Sequence, residues 1–212
     1  MLSSLLFKLR LLHLLQNITN TFSTFLILMA IADVKVNGYP CKSTFSPSDF
    51  YFHGLAKRGN TSNQFGSIAT HAFVMQVPGL NSQGVSMTRV DFAPGGVNPP
   101  HIHPRASEIS YMLYGKMKAM FITTDDVLVS KTIKRGDIFT FPRGLIHLQV
   151  NTGKGPAAFI AGLNSQNPGV QFIAPALFAS KPPVPNRALE KAFQITAKEV
   201  EKIRAKLSQT QY

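Results

Sequence analysis

Four residues in the middle of the chain have the types and the spacing of a metal-binding set. His101 and His103 alternate within a proline-rich stretch, residues 99–104, where a helix is excluded and side chains two apart share one face of a strand. Glu108 adds a carboxylate, and His147 adds a third imidazole further along the chain. This set suits Mn, Fe, Ni, Cu or Zn, and a six-coordinate ion would keep positions for water or substrate. The spacing therefore predicts an open, reactive metal site.

Other conspicuous residues have simpler interpretations. His53 and His71 have no other candidate metal ligands beside them in the sequence, and we interpret both as structural. The tripeptide Arg135–Asp137 resembles an adhesion motif, but its central glycine is what a tight turn with positive φ requires. Ser110 and Tyr111 lie near the predicted site, yet no Ser-His-Asp order indicates nucleophilic catalysis.

The elements that position these residues are short apolar segments separated by turns, a pattern that favours strands. Gly115 divides two of them, so we expect a hairpin at that point. Many short strands at regular spacing are typical of a β-barrel or sandwich, and the predicted fold class is all-β. The predicted strands are Ser86–Phe92, Glu108–Tyr114, Lys116–Thr123, Val127–Ile133, Ile138–Phe141, Ile146–Val150 and Ala157–Leu163.

The C-terminal end has a helical pattern instead. A first helix, capped by Asn186, and a second, opened by a capping box of Thr196 and Glu199, each carry one apolar stripe. The stripes comprise Leu189, Ala192 and Phe193 in the first helix, and Val200, Ile203 and Leu207 in the second. A pair of short helices with one apolar face each needs a packing partner, either the barrel or a neighbouring subunit.

The composition limits the classes of partner. The chain has 212 residues and a formal net charge of +12, but its Lys and Arg are scattered and form no run interleaved with aromatic residues. We therefore expect no nucleic-acid binding, and acidic polysaccharide or a small anionic substrate is the better match for the charge. Cys41 is the single cysteine, which excludes an internal disulfide and a thiolate metal cluster.

The first 32 residues have the composition of a targeting segment. They include Lys8 and Arg10 but no acidic residue, and an apolar run over residues 22–29 precedes the small residues at 30–32. This run is far shorter than the roughly 20 residues that span a bilayer, so no stable membrane span is expected. We predict a secretory signal peptide, with an organellar transit peptide as the alternative. In a secreted chain, Asn60 of the Asn-Thr-Ser tripeptide becomes an N-glycosylation site.

Two motifs in this sequence resemble those of the plant germins and germin-like proteins, a family of the cupin superfamily. The first motif is Gly96-x4-His101-x-His103-x4-Glu108-x6-Gly115, and the second is Gly136-x5-Pro142-x4-His147-x3-Asn151. The segments VKVNGYPCK (residues 34–42) and SQNPG (residues 165–169) also resemble the family, and the resemblance covers roughly residues 33–209.

The resemblance implies a cupin jelly-roll β-barrel over residues 33–186 and a C-terminal helical arm over residues 187–209 that joins subunits. It also implies Mn(II), held by the three histidines and the glutamate, in a homo-oligomer, a hexamer assembled as a trimer of dimers. A glycoprotein secreted to the apoplast, the plant cell wall, would fit the same family. Family activities are superoxide dismutation, oxalate oxidation or none detected, with a frequent link to plant defence.

Two departures from the family pattern bear on these expectations. Germins pair the position of Cys41 with a second cysteine, and this chain has none near residues 29–32, so Cys41 is predicted to be unpaired. The oxalate oxidase has amides at the positions of Asn98 and Thr88, of which only Asn98 is an amide here. Because a dianion would lose one of two amide donors, we predict superoxide dismutation ahead of oxalate oxidation. A non-catalytic, storage-like wall protein that binds metal is the third alternative.

Overall fold

The computed structural model describes residues 35–42 and 44–208. The predicted signal peptide, residues 1–32, lies outside these ranges. The chain divides into two compact units, with the division between Tyr51 and Phe52. No helix in the described ranges has the length and apolar character that crossing a membrane needs.

The first unit has a small hairpin. Its strands are β1 (Lys35–Val36) and β2 (Tyr39–Pro40), which pair in antiparallel fashion. Asn37 and Gly38 both have positive φ, which is the backbone of a two-residue hairpin turn and explains the Asn-Gly pair. A short 3₁₀ helix, Pro47–Phe50, follows.

The second unit is built around two five-stranded antiparallel sheets. One sheet has the order β3-β4-β11-β6-β9 and the other has the order β12-β5-β10-β7-β8. This arrangement is the predicted jelly-roll β-barrel. The strands are β3 (Ser67–Ala72), β4 (Ser86–Phe92), β5 (Val97–Ile102), β6 (Glu108–Tyr114), β7 (Lys116–Ile122), β8 (Leu128–Lys134), β9 (Ile138–Phe141), β10 (His147–Asn151), β11 (Ala157–Leu163) and β12 (Gln171–Phe172), with 3₁₀ turns at Gly54–Ala56 and Pro78–Leu80.

The barrel interior is filled by alternate residues of these strands. Phe92, Phe141 and Phe159 are fully buried, as are Met112 and Met117. Because successive side chains of a strand point to opposite faces, the inward positions of both sheets meet in one apolar core. The core occupies one part of the interior, and the polar side chains of the predicted site occupy another.

Gly115 does not form the predicted hairpin. The two strands that flank it exist, but β6 pairs with β9 and β11, whereas β7 pairs with β8 and β10 in the other sheet. Gly115 has φ +86°, and a Cβ there would lie 2.5 Å from the Cβ of Ala157 and 2.8 Å from the carbonyl oxygen of Pro156. The residue is therefore a corner where the chain passes from one sheet to the next, a position that only glycine fits.

Three short helices follow the barrel within the described ranges: α1 (Ile173–Phe178), α2 (Asn186–Phe193) and α3 (Ala197–Leu207). The last two are the predicted pair, and α1 is additional. The sequence pattern did not indicate α1 because it is six residues long and contains Pro175, which is tolerated only in the first turn. Phe178, Leu189 and Val200 bury against one another at the centre of the three helices. The helical segment therefore has a small apolar core of its own.

The predicted capping box of α3 is confirmed. The Glu199 amide donates to Thr196 Oγ1, and the Thr196 amide donates to the Glu199 carboxylate at 2.7 Å. The predicted cap of α2 is wrong: Asn186 is the first helical residue, and its side-chain amide donates to Glu201 on α3 at 2.6 Å. The barrel and arm boundary proposed between residues 186 and 187 stays a prediction.

Candidate metal centre

The barrel brings the four predicted metal-binding side chains together. His147, the first residue of β10, pairs directly with His101 near the end of β5, and His103 follows that strand. Glu108 begins β6 in the other sheet. All four residues are at most 5% exposed, and their candidate ligand atoms lie within 4.8 Å of one another. The cluster is therefore buried, compact and shared by both sheets.

Main-chain carbonyls orient all three imidazoles. The Nδ1 contacts are His101 to the Pro99 carbonyl at 2.7 Å, His103 to the Gly169 carbonyl at 2.7 Å, and His147 to the Leu145 carbonyl at 2.8 Å. A carbonyl oxygen can only accept a hydrogen bond, so each Nδ1 must carry a proton. Each Nε2 is thereby left as the candidate metal ligand and points toward the centre of the cluster.

Two buried atoms of the cluster lack a protein partner. Glu108 Oε1 and His147 Nε2 make no hydrogen bond, although both are shielded from solvent. A buried polar atom without a partner costs about 1–3 kcal/mol. A cation bound between them would satisfy both atoms, and the nitrogen and carboxylate donors suit a divalent transition metal. The four residues thus fit a bound metal ion.

Charges inside the cluster shift the pKa values of its members. Burial disfavours the Glu108 carboxylate, but the hydrogen bond from His103 and the nearby charges of His147 and His103 outweigh it and lower the pKa of Glu108 to about 2. Burial and the charge of His147 lower the pKa of His101 to about 3. Burial also opposes the charged form of His103, but its 2.9 Å hydrogen bond to Glu108 Oε2 raises the pKa. The metal-free cluster therefore contains a carboxylate paired with one imidazolium.

Three members of the cluster, His101, His103 and Glu108, line a cavity of about 860 Å³. Asn98 and Thr88, the residues predicted to face the substrate, both line it, together with the apolar side chains of Phe159 and Phe172. The Asn98 side-chain amide donates to Gln149 Oε1 at 2.8 Å. The site therefore has room for a small ligand beside the metal-binding side chains.

Comparison with known proteins identifies the family. The cupin family model matches residues 53–201. Germin-like protein 5-1 of Oryza sativa subsp. japonica is 55% identical over 175 residues, which cover 82% of this chain and 79% of that protein. The rhicadhesin receptor of Pisum sativum is 51% identical over 177 residues, which cover 82% of each chain. The chain belongs to the germin-like proteins of the cupin family.

A solved structure of recombinant oxalate oxidase in complex with glycolate is similar to this germin-like protein. The two are 43% identical with a TM-score of 0.78, and the match covers 84% of this chain and 90% of the oxidase. A crystal structure of peruvianin-I, a cysteine peptidase from the latex of Thevetia peruviana, is 36% identical with a TM-score of 0.63 and matches 67% of this chain and 89% of the peptidase. The family and the fold predicted from the two motifs are confirmed, and the buried cluster of this germin-like protein can hold a metal ion.

Two residues near the site of this germin-like protein were not identified from the sequence. Gln149 is fully buried next to Asn98, and its position two residues after His147 would have placed it on the same strand face. His71, interpreted from the sequence as structural, lines the cavity beside Thr88. No local signal links His71 to the cluster, because only the pairing of β3 with β4 brings it there.

The remaining predicted positions lie away from the cluster itself. Asn60 is exposed and borders the cavity, and its side-chain oxygen accepts a hydrogen bond from the Ser62 amide at 2.9 Å. An exposed asparagine in such a turn is accessible to a glycosyltransferase. Cys41 is a half-buried free thiol.

Proposed function

We propose that this germin-like protein binds Mn(II) through His101, His103, Glu108 and His147 and dismutates superoxide outside the cell. The observation that carries the proposal is the buried cluster whose Nε2 and carboxylate atoms lie within 4.8 Å of one another beside a cavity, with two of those atoms lacking a hydrogen-bond partner. A manganese ion held there would supply the one-electron exchange that dismutation needs.

The residues of the chain would contribute orientation, charge and access. Main-chain carbonyls hold the three imidazoles in the tautomer that ligates through Nε2, and the ionised Glu108 offsets part of the charge of the metal. The net charge is +12, of which Lys8 and Arg10 in the predicted signal peptide contribute two, and the remaining positive charge would attract the superoxide anion over a distance of about a Debye length. Dismutation of two superoxide anions consumes two protons and yields one dioxygen and one hydrogen peroxide, so the cavity must also admit protons.

Metal analysis of the natively purified protein, followed by a superoxide assay on the Mn-loaded form, tests this proposal. We expect one Mn per chain, with activity lost in His101→Ala together with the metal. Activity that persists in a metal-free His101→Ala protein would refute it. Binding of a different metal would refute the manganese assignment while leaving the four ligands intact.

Oxalate oxidation is the second candidate. The similarity to oxalate oxidase in complex with glycolate favours it, as does Asn98, whose amide lines the cavity. Thr88 argues against it because its hydroxyl donates to the Thr70 carbonyl and so offers no proton to a dianion. Hydrogen peroxide release from oxalate is the discriminating assay, and a clear rate in the wild-type protein would reverse the ranking. Thr88→Asn is expected to increase that rate.

A non-catalytic role is the third candidate, in which the metal stabilises a wall-associated or storage-like protein. Its signature would be metal-dependent thermal unfolding without turnover of superoxide or oxalate. We further propose that the mature chain is a secreted, defence-related glycoprotein of the apoplast and that it assembles as a hexamer through the helical arm, residues 187–209. Light scattering of the purified protein, and mass spectrometry of its N-terminus, test assembly and signal removal.

A further inference from the structure

His71 lies on the wall of the same cavity that the metal cluster lines. It is half-buried on β3, where it shares the inward face of the strand with Ser67 and Ala69. Its ring stacks on Phe73, with the ring centroids 4.4 Å apart and an interplanar angle of 26°. The side chain is therefore held in one orientation by an aromatic neighbour on its own chain segment.

A chain of two hydrogen bonds determines the tautomer of His71. Thr88 Oγ1 lies 3.1 Å from the Thr70 carbonyl oxygen, which can only accept, so the hydroxyl proton of Thr88 is directed there. Thr88 Oγ1 is also 3.1 Å from His71 Nδ1 and must accept from it. Nδ1 therefore carries the ring proton, and Nε2 has a free lone pair. No residue in the described part of the chain donates to this Nε2, which is open to the cavity.

We propose that His71 is a catalytic base of this cavity, which accepts a hydrogen bond, and then a proton, from an O–H group of a small ligand held at the metal cluster. The ligand oxygen keeps the electron pair of the broken O–H bond. His71 becomes an imidazolium and later returns the proton to the product or to solvent. His71 would therefore favour small ligands that carry a hydroxyl or hydroperoxyl proton, such as a 2-hydroxy acid or hydrogen peroxide.

The surroundings of His71 keep it in the accepting form. Burial, and then the charge of His103, lower the pKa of His71, so the imidazole is neutral at neutral pH. The titratable groups that line the same cavity are His101, His103 and Glu108. On β4 its neighbour is Thr88, whereas Arg89 and Asp91 alternate to the opposite face of that strand.

Carbethoxylation of histidine, measured by peptide mass spectrometry on the full-length mature protein, tests the proposal without any variant. The reagent acylates a neutral, accessible imidazole nitrogen. In the Mn-loaded protein we expect modification of His71 and of the exposed His53, and glycolate at ten times its Kd should slow the His71 reaction about tenfold and leave His53 unchanged. A resistant His71, or one that glycolate does not protect, would overturn the proposal.

The same experiment separates this inference from the metal assignment on which it rests. The metal content of the same samples tests the metal assignment directly, and a protein that retains no Mn after loading and desalting refutes it. The reactivity of His71 in that metal-free protein still reports whether its Nε2 is open to the cavity.

A pair of ligands that differ by one hydroxyl group provides the second measurement. His71→Ala should weaken glycolate binding to the Mn-loaded protein about tenfold, because the hydroxyl loses its acceptor, and should leave acetate binding unchanged. His71→Gln restores an acceptor oxygen and should recover part of the loss, and His53→Gln is the matched control. Equal weakening of glycolate and acetate would indicate a structural role and overturn the proposal.

Discussion

Metal uptake by the cluster should release a proton from His103. In the metal-free protein, Nδ1 of His103 contacts the Gly169 carbonyl and Nε2 contacts Glu108 Oε2, both oxygens that accept, so both ring nitrogens carry protons. A metal ion that binds Nε2 must displace that proton. Glu108 and His101, with pKa values of about 2 and about 3, are already in their ligating forms near neutral pH.

The expected magnitude follows from the competition between one proton and one metal ion. The pKa of His103 lies above its usual value because the hydrogen bond and charge of Glu108 outweigh the cost of burial. Below that raised pKa, the apparent Mn affinity should fall about tenfold, or about 1.4 kcal/mol, for each pH unit. Above it, the proton is already lost and this contribution to the pH dependence disappears.

Titration calorimetry in buffers with different ionisation enthalpies counts the protons released. We expect release from the wild-type protein on Mn binding, and a smaller pH slope in Glu108→Gln, where the charge that retains the proton is absent. Glu190→Gln on α2 is the matched control and should behave as wild type. An Mn affinity that is constant between about pH 5.5 and 7.5 would refute this account of the cluster.

Three further predictions concern stability and modification. Gly115→Ala should lower the free energy of unfolding, measured by urea denaturation, by about 3 kcal/mol or more. Gly136→Ala is the control and should lower it by only about 1 kcal/mol, because Gly136 has positive φ but nothing within 4 Å of the added Cβ. Equal losses would contradict the assignment of Gly115 to a corner between the sheets. Asp91→Ala should lower the free energy of unfolding by about 3–5 kcal/mol, because it removes the carboxylate that binds Arg89 through two hydrogen bonds in a buried ion pair. A loss below about 1 kcal/mol in the same assay would contradict a buried Arg89–Asp91 pair. Asn60→Gln should remove a glycan mass from the secreted protein, and an unchanged mass would show that the residue is not glycosylated.

The metal cluster could be predicted because its information is local. His101 and His103 share a strand face through simple alternation, and the surrounding prolines restrict the backbone to extended conformations. The strands β4, β9 and β11 were likewise marked by apolar alternation and turn residues, and their predicted bounds coincide with those observed. Local pattern and final structure agree wherever neighbouring residues decide the conformation.

The pairing of strands was not local, and there the prediction failed. A glycine between two strands is expected both in a hairpin turn and in a corner between sheets. At Gly115 only the close approach of Ala157, which is distant in the sequence, distinguishes the corner from the turn. The same limit applies to His71, which reaches the cavity because β3 aligns it with Thr88, 17 positions away. Interactions that depend on sheet order need the assembled barrel.

The carbonyl contacts behind the three imidazoles have a consequence for how this barrel can diversify. Every residue type has a main-chain carbonyl, so the hydrogen bonds to the Nδ1 atoms of the metal-binding rings depend on the path of the backbone and not on the types of the residues that supply the carbonyls. Side chains such as Thr88 and His71 can therefore be exchanged for others while the rings stay aligned. A single backbone can support different reactions in different relatives, and substitution of the cavity wall is a practical route to a new substrate.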